Sequence, residues 1–233
     1  MTAATRPLDA VLFDLDGTLV DSEPYWIECE QALVEEHGGT WTDADARAMV
    51  GNPLLVSAGY IAAVGGVRMA PEQIVEHLLD GVIDRVRRRI PWRAGAQELL
   101  AELRRAGVPT ALVTMSYRRL ADEVVAGLPP GSFAAVVTGD EVREGKPHPE
   151  AYLAAADRLG VDPRHCVALE DSPTGVASAE AAGCVTVAVE GVVAVPPAPG
   201  RFGVSSLGDL SLRKLERMVA ARGDAPPAPS APF

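Results

Sequence analysis

Two acidic residues directly follow the first apolar run of the chain. The run 10–13 is succeeded by Asp14 and Asp16, which stand two positions apart, and then by Gly17 and Thr18. In open α/β sheets, ligands bind beyond the carboxyl ends of the strands, so a strand at 10–13 would place both acids beside a ligand. One carboxylate could attack a substrate or bind a metal while the other transfers protons. This spacing predicts a catalytic pair, with a solvated turn as the alternative.

A calcium-binding loop would also carry acids at this spacing. Such a loop needs a third oxygen ligand, a glycine and a closing glutamate at set positions. This chain has Thr18, Leu19 and Tyr25 at those positions. The calcium loop is therefore excluded.

A second acidic pair, Glu170 and Asp171, follows the apolar run 166–169. Burial of adjacent charges is unfavourable unless they are paired or bind a metal. Together the two pairs would repel one another, and a hard divalent cation with oxygen ligands would relieve this; Mg²⁺ fits best. Asp171 could instead cap a helix that begins at Pro173, and this alternative stays open.

A hydroxyl and a lysine complete the set of candidate chemical groups. Thr114 ends the apolar run 110–114, and Lys146 precedes Pro147 in a loop. The chain has 19 arginines but only two lysines, so a compact ammonium at this loop predicts a specific role, such as holding a phosphate beside an acidic nucleophile. A surface lysine is the ordinary alternative, and the other lysine, Lys214, is predicted to be a solvated helix residue. A phosphate-binding P-loop is excluded because Pro147 replaces the required Ser or Thr.

The elements that must position these residues alternate along the chain. The strand-like runs are nearly continuously apolar, as is typical of strands buried on both faces of a parallel sheet. They lie at 10–13, 110–114, 134–137, 166–169 and 184–189, and helical patterns lie at 96–106, 118–128, 149–159 and 173–182. This alternation predicts an α/β fold with a doubly wound, Rossmann-like parallel sheet.

The segment 21–91 interrupts this alternation with helical pattern alone. Its clearest helix has an apolar residue every fourth position from Ile74 to Ile90. We therefore predict an inserted α-helical cap domain at 21–91 between core segments 1–20 and 92–222, followed by a disordered Pro/Ala-rich tail at 223–233. The loop from Gly51 to Leu54 lies between two helical stretches and could face the site.

Composition limits the partners of the chain. The 233 residues carry 21 basic and 32 acidic side chains, a formal net charge of −11. Such a chain is a poor binder of nucleic acid or anionic membranes. Neither a signal-peptide core nor a membrane-spanning run is apparent, and three scattered cysteines indicate no disulfide framework. We expect a soluble cytoplasmic protein that binds neither nucleic acid nor membrane.

These motifs, in this order, resemble those of the haloacid dehalogenase superfamily of phosphohydrolases. The resemblance rests on the segment 14–18, on Thr114, on Lys146 with Pro147, and on Glu170 with Asp171. It covers about residues 8–190. The segments 19–24 and 169–175 are similar to the β-phosphoglucomutase-like branch, in which a helical cap lies between the first two motifs.

The resemblance implies a role for each matching residue. Asp14 is expected to be the nucleophile that forms an aspartyl-phosphate, and Asp16 to protonate the leaving group and then activate water. The expected ligands of Mg²⁺ are Asp14, the backbone carbonyl of Asp16, Asp171 and, through water, Glu170. The transferring phosphoryl group is expected to be held by Thr114, Ser116 and Lys146. Substrate specificity is assigned to Glu23, Gly51, Asn52 and Leu54.

Three departures from the mutase pattern favour hydrolysis. The mutase branch has a histidine where this chain has Trp26, and a lysine and an arginine where it has Val50 and Leu54. Without cations to hold a second phosphate, the phosphoenzyme would be open to attack by water. The expectation is a monomeric Mg²⁺-dependent phosphatase acting on a small phosphorylated metabolite, with sugar phosphates as candidates. A sugar phosphomutase and a non-catalytic phosphate-binding regulatory protein remain alternatives, whereas Asp16 argues against a dehalogenase.

Overall fold

Six short parallel strands form one sheet in the computed structural model, which describes residues 8–223. The strands are β1 (Ala10–Phe13), β2 (Thr110–Val113), β3 (Ala135–Val137), β4 (Cys166–Glu170), β5 (Val185–Val189) and β6 (Arg201–Val204). Their order across the sheet is β3-β2-β1-β4-β5-β6, and every neighbouring pair is parallel. The predicted α/β fold is confirmed. Of the tail predicted at 223–233, residues 224–233 lie outside the described residues.

Nine α-helices accompany this sheet within the described residues. They are α1 (Glu23–Glu36), α2 (Asp43–Met49), α3 (Leu54–Val64), α4 (Pro71–Arg88), α5 (Ala96–Arg105), α6 (Arg118–Ala126), α7 (Glu150–Leu159), α8 (Pro173–Ala181) and α9 (Leu212–Gly223). Within residues 8–223, none of these helices combines the length and the apolarity needed to cross a membrane.

Strand register brings the predicted chemical groups to one edge of the sheet. Phe13 at the end of β1 pairs with Leu112 of β2 on one side and with Leu169 of β4 on the other. The residues that follow these three positions therefore leave the sheet next to one another. All residues of β1, β2 and β4 are buried, which is why their sequences are almost continuously apolar.

Strand β6 was not predicted from the sequence. Its four residues include Arg201 and Gly203, and it lies at the edge of the sheet with its side chains partly or fully exposed. A strand that is not buried on both faces does not need a continuous apolar run, so the pattern used for the other strands does not detect it.

Helices α1 to α4 form the inserted helical cap between β1 and α5. Helix α4 buries a continuous apolar face that includes Ile74, Leu78, Val82 and Val86. The prediction that Ile90 belongs to this face of the helix was wrong. The helix ends at Arg88, and Ile90 is a partly buried residue of the following segment that packs against the same core.

Two backbone segments connect the cap helices to the core, and they pair with each other. The N–H of Asp21 donates to the carbonyl of Pro91 at 2.7 Å, and the N–H of Arg93 donates to the carbonyl of Leu19 at 3.0 Å. Val20 and Trp92 form an antiparallel bridge between them. We propose these paired crossings as the boundary between core and cap.

Ion pairs also join the cap to the core. Arg119 of α6 contacts both Glu76 and Asp80 of α4, and Arg87 of α4 lies 2.6 Å from Glu123 of α6. These side chains are exposed or partly exposed, so solvent screening keeps the contribution of each pair small. The pairs add little to the apolar packing on this side, where buried residues of α4 and α6 belong to one hydrophobic cluster.

Candidate active site

The candidate site lies where β1, β2 and β4 end. The backbone of Asp14 is fixed by a hydrogen bond from its N–H to the carbonyl of Leu169, at 3.0 Å. The N–H of Thr114 donates in the same way to the carbonyl of Val137, also at 3.0 Å. The chain ends of neighbouring strands thus hold Asp14, Thr114 and Glu170 within one small region.

Lys146 is the central cation of this region. Its side chain is only 2% exposed, which excludes the alternative of a surface lysine. Its Nζ donates to Asp14 Oδ1 at 2.6 Å, to Glu170 Oε1 at 2.6 Å and to the carbonyl of Val113 at 3.0 Å. These three acceptors use all three donors of an ammonium group. Burial lowers the pKa of Lys146, but Asp14 and Glu170 outweigh this effect and raise it above its ordinary value.

Three buried carboxylates form an acidic cluster in contact with this lysine. Asp14, Glu170 and Asp171 each place one carboxylate oxygen within 4.8 Å of the others. Burial, followed by repulsion from Glu170, holds the pKa values of Asp14 and Asp171 well above their ordinary range. Buried Tyr152 donates its hydroxyl to Glu170 Oε1 at 2.6 Å and so fixes that carboxylate.

Asp171 has an unsatisfied oxygen that fits a cation. Its Oδ2 is buried and has no hydrogen-bond partner among the described residues, while its Oδ1 accepts from Thr18 at 3.4 Å. The alternative in which Asp171 caps a helix is excluded, because Ser172 is the residue whose side chain accepts from the backbone of α8. A buried oxygen without a partner, beside other carboxylate oxygens, fits a hard divalent cation.

Glycines let the backbone approach these carboxylates closely. A Cβ atom on Gly17 would lie 2.0 Å from Asp171 Oδ2, and one on Gly175 would lie 2.0 Å from Glu170 Oε1. Gly17 also has φ of +83°, which other residues rarely adopt. The glycines of the two acidic motifs are therefore required by the packing of the carboxylates themselves.

The carboxylate of Asp16 points away from this acidic cluster. Its Oδ1 accepts from Ser22 at 2.6 Å and from Trp26 Nε1 at 3.0 Å. Its Oδ2 accepts from Ser116 at 2.7 Å and from Thr114 at 3.3 Å. Asp16 is thus held by four donors, and the ligand expected from it is its backbone carbonyl rather than its side chain.

All four residues assigned to specificity line one cavity with a volume of about 70 Å³, which Asp14 and Asp171 of the acidic cluster also line. The cap supplies Glu23, Gly51, Asn52 and Leu54 to its wall. Gly51 has φ of +76°, and a Cβ there would lie 2.6 Å from Ser172 Oγ, so the cap loop rests directly on the core. Leu54 is the first residue of α3 rather than a loop residue. The cap therefore closes over the candidate site in this structure.

Three residues that contact this site were not predicted from the sequence. Trp26, considered above only as a departure from the mutase pattern, is buried and donates a hydrogen bond to Asp16. Tyr152 on α7 donates a hydrogen bond to Glu170. No local sequence motif indicates this contact. Glu30 lines the cavity two helical turns after Glu23 on α1, and this spacing of seven positions is the signal that could have identified it.

The burial of Glu30 predicts a pH-dependent stability. Burial raises its pKa from 4.5 to about 7, although a hydrogen bond from Trp41 opposes the shift. The folded state therefore binds this proton more tightly than the unfolded state, and stability falls as the pH rises from 4.5 through 7. Glu30→Gln cannot ionise, so it is expected to raise the free energy of unfolding by up to about 3 kcal/mol at pH 8.

Urea unfolding at pH 4.5 and pH 8 measures this effect. The gain is expected at pH 8 and should nearly vanish at pH 4.5. Glu36→Gln is the matched control, because Glu36 lies on the exposed side of the same helix. Equal changes for the two variants at both pH values would contradict the assignment.

Comparison with known proteins identifies relatives over most of the chain. A family model described as haloacid dehalogenase-like hydrolase matches residues 8–183. Hexitol phosphatase A of Escherichia coli strain K12 is 36% identical over 215 residues, which are 91% of this chain and 93% of that protein. The crystal structure of CbbY from Rhodobacter sphaeroides in complex with phosphate superposes with a TM-score of 0.79 at 26% identity, covering 90% of this chain and 99% of that one.

A mutase also shares the fold. The structure of β-phosphoglucomutase from Clostridium difficile superposes with a TM-score of 0.78 and covers 92% of this chain and 98% of its own, at 19% identity. At that identity the likeness concerns the fold alone.

Proposed function

The chain belongs to the haloacid dehalogenase-like hydrolases, in their β-phosphoglucomutase-like branch, and on this basis we propose that it is a Mg²⁺-dependent phosphatase of small phosphorylated sugars or polyols. The observation that carries the proposal is the buried contact among Asp14, Lys146 and Glu170, beside the orphan oxygen of Asp171. A relative that is 36% identical is named a hexitol phosphatase, which supports the substrate class.

Asp14 is proposed as the nucleophile. One of its carboxylate oxygens attacks the phosphorus, the bond between phosphorus and the leaving oxygen breaks, and Asp16 donates a proton to that oxygen. Asp16 then takes a proton from a water molecule, which attacks the phosphorus of the aspartyl-phosphate. This second step releases orthophosphate and restores the carboxylate of Asp14.

The hydroxyls that hold Asp16 can also serve the phosphoryl group. Thr114 and Ser116 donate to Asp16 Oδ2 in this structure, so they lie beside the proton donor and near the nucleophile. We propose that they and Lys146 donate to the phosphoryl oxygens during transfer. Such fixed donors stabilise the charge that develops as the phosphoryl group moves between oxygens.

Asp14, Asp171, the backbone carbonyl of Asp16 and, through water, Glu170 are the proposed ligands of Mg²⁺. When bound, this ion supplies positive charge that offsets the carboxylates and stabilises the phosphoryl oxygens. Asp171 Oδ2 supports the assignment because it is buried and has no other partner among the described residues. Glu170 already accepts from Lys146 and Tyr152, in keeping with a contribution through water.

The cavity wall favours hydrolysis over the mutase reaction, in which the phosphoryl group is transferred back to a sugar. Trp26, Val50 and Leu54 all line the cavity, and these are the positions at which the mutase pattern has basic residues. Among the described residues of the cavity wall, Lys146 alone is basic. A bisphosphate intermediate would therefore have no cation on the cap side to hold its second phosphate.

The proposal is tested by incubating the purified protein with hexitol and hexose phosphates and with p-nitrophenyl phosphate. Orthophosphate release is expected in the presence of Mg²⁺ and is expected to stop after treatment with EDTA. Isomerisation of a hexose 1-phosphate without orthophosphate would instead support a mutase. No turnover of any of these compounds by the Mg²⁺-loaded protein would contradict an enzymatic role.

A further inference from the structure

The cap presents two buried carboxyl groups to the cavity that the proposed reaction does not use. Glu23 and Glu30 are 7% and 5% exposed, and both line the cavity. They lie seven positions apart on α1, and therefore on the same side of the helix at a separation of about 10 Å along its axis. Trp26 and Ile27, between them, line the cavity as well.

Both carboxyl groups keep free hydrogen-bonding capacity. Glu30 Oε2 accepts from Trp41 Nε1 at 3.2 Å, which orients the side chain, whereas its Oε1 has no partner among the described residues. The side chain of Glu23 likewise has no hydrogen-bond partner in the described part of the chain. Both side chains line the cavity, so their free oxygens can accept hydrogen bonds from a ligand bound there.

The rest of the cavity wall determines which ligand suits these acids. The one basic residue that lines it within the described chain, Lys146, is already engaged by the acidic cluster on the core side. The cap side instead offers apolar groups such as Val75 and Leu78, with the hydroxyl of Ser57 and the amide of Asn52. Burial raises the pKa of Glu30 to about 7 and that of Glu23 to about 8. Above these pKa values a second phosphate or a carboxylate would meet like charge there, and the described residues of the wall offer no free cation.

We propose that Glu30, together with Glu23, forms a hydroxyl-binding subsite that selects an uncharged, polyhydroxylated substrate body and rejects one with a second anionic group. This inference rests on the proposed phosphatase function and makes Glu30 a specificity-determining residue. Hydroxyls bound to carboxylate oxygens form short, strong hydrogen bonds. A substrate body without hydroxyls leaves those oxygens unpaired, whereas an anionic one is repelled.

Above pH 8, where both carboxyl groups are ionised, the test compares three substrates in wild-type and Glu30→Gln protein. They are a hexitol 6-phosphate, which has hydroxyls but no second charge; p-nitrophenyl phosphate, which has no hydroxyls; and a hexose bisphosphate. Glutamine keeps the shape and one acceptor oxygen but removes the charge. For Glu30→Gln, kcat/KM is expected to fall about tenfold or more for the hexitol phosphate, to change less than about twofold for p-nitrophenyl phosphate, and to rise for the bisphosphate.

A second variant distinguishes the effect of the negative charge from the effect of side-chain length. Glu30→Asp keeps the negative charge but withdraws the carboxylate by one methylene group, so it is expected to weaken turnover of the hexitol phosphate while still rejecting the bisphosphate. Glu36→Gln, on the exposed side of α1, is the matched control and should leave all three substrates unchanged.

Two results would overturn the inference. One is an equal loss on the hexitol phosphate and p-nitrophenyl phosphate, because a residue that merely supports the fold would affect both. The other is unchanged selectivity in Glu30→Gln. Failure of the phosphatase proposal itself is recognised separately, since the wild-type protein would then release no orthophosphate even from p-nitrophenyl phosphate.

Discussion

Replacement of Asp14 by asparagine is expected to abolish phosphate release, with kcat lowered by at least about 10³-fold. An amide oxygen is a far weaker nucleophile than a carboxylate, and the phosphoryl group then has no acceptor. The fold should persist, because the amide is nearly the same size and its oxygen can still accept from Lys146 Nζ, which contacts Asp14 Oδ1 at 2.6 Å. Initial rates with p-nitrophenyl phosphate and Mg²⁺ measure the effect.

Asp122→Asn provides the matched control for this variant. It makes the same chemical change at an exposed side chain of α6, so its rate should equal that of the wild type. Thermal unfolding of both variants establishes that they are folded. Asp14→Asn protein with more than a tenth of wild-type activity would rule out Asp14 as the nucleophile.

Replacement of Lys146 by methionine is expected to reduce both stability and activity. It leaves Asp14 and Glu170 buried without their shared cation, and removal of one partner from a buried ion pair typically costs about 3–5 kcal/mol. Loss of a donor to the phosphoryl group should also lower kcat by roughly 10²–10³-fold. Urea unfolding and initial rates at neutral pH measure the two effects separately.

The second lysine of the chain is a natural control. Lys214 on α9 is partly exposed and donates to the carbonyl of Asp209 at 3.0 Å, so Lys214→Met should change stability by less than about 1 kcal/mol and leave activity intact. Lys146→Arg keeps the charge but forces a planar guanidinium into a site that is 2% exposed. Full activity in that variant would contradict the specific role of a compact ammonium.

Much of the site could be predicted because it is built from strand ends. A buried parallel strand is continuously apolar, so the first acidic residue after the apolar run marks the end of the strand to within one residue. For this reason β1 has the predicted bounds, and Asp14, Thr114, Glu170 and Asp171 emerge side by side. The rarity of lysine in the chain likewise pointed to Lys146, which proves to be buried among these acids.

The remaining features depend on contacts between distant parts of the chain. Trp26 and Tyr152 reach Asp16 and Glu170 from helices whose packing no local pattern specifies. Whether Asp171 or Ser172 caps α8 depends on backbone geometry after the strand, since both residues are competent caps. The edge strand β6 escaped detection because partial exposure removes the apolar signal.

The paired crossings at 19–21 and 91–93 have a consequence for how this protein could be altered. They bring both ends of the four-helix cap together on the core, and a segment with adjacent ends can be inserted or replaced with little disturbance of the surrounding fold. The residues proposed for phosphoryl transfer belong to the core, whereas Glu23 and Glu30 belong to the segment between the crossings. Evolution or an engineer could therefore exchange that segment as a cassette, changing the compound that is processed while the reaction stays the same.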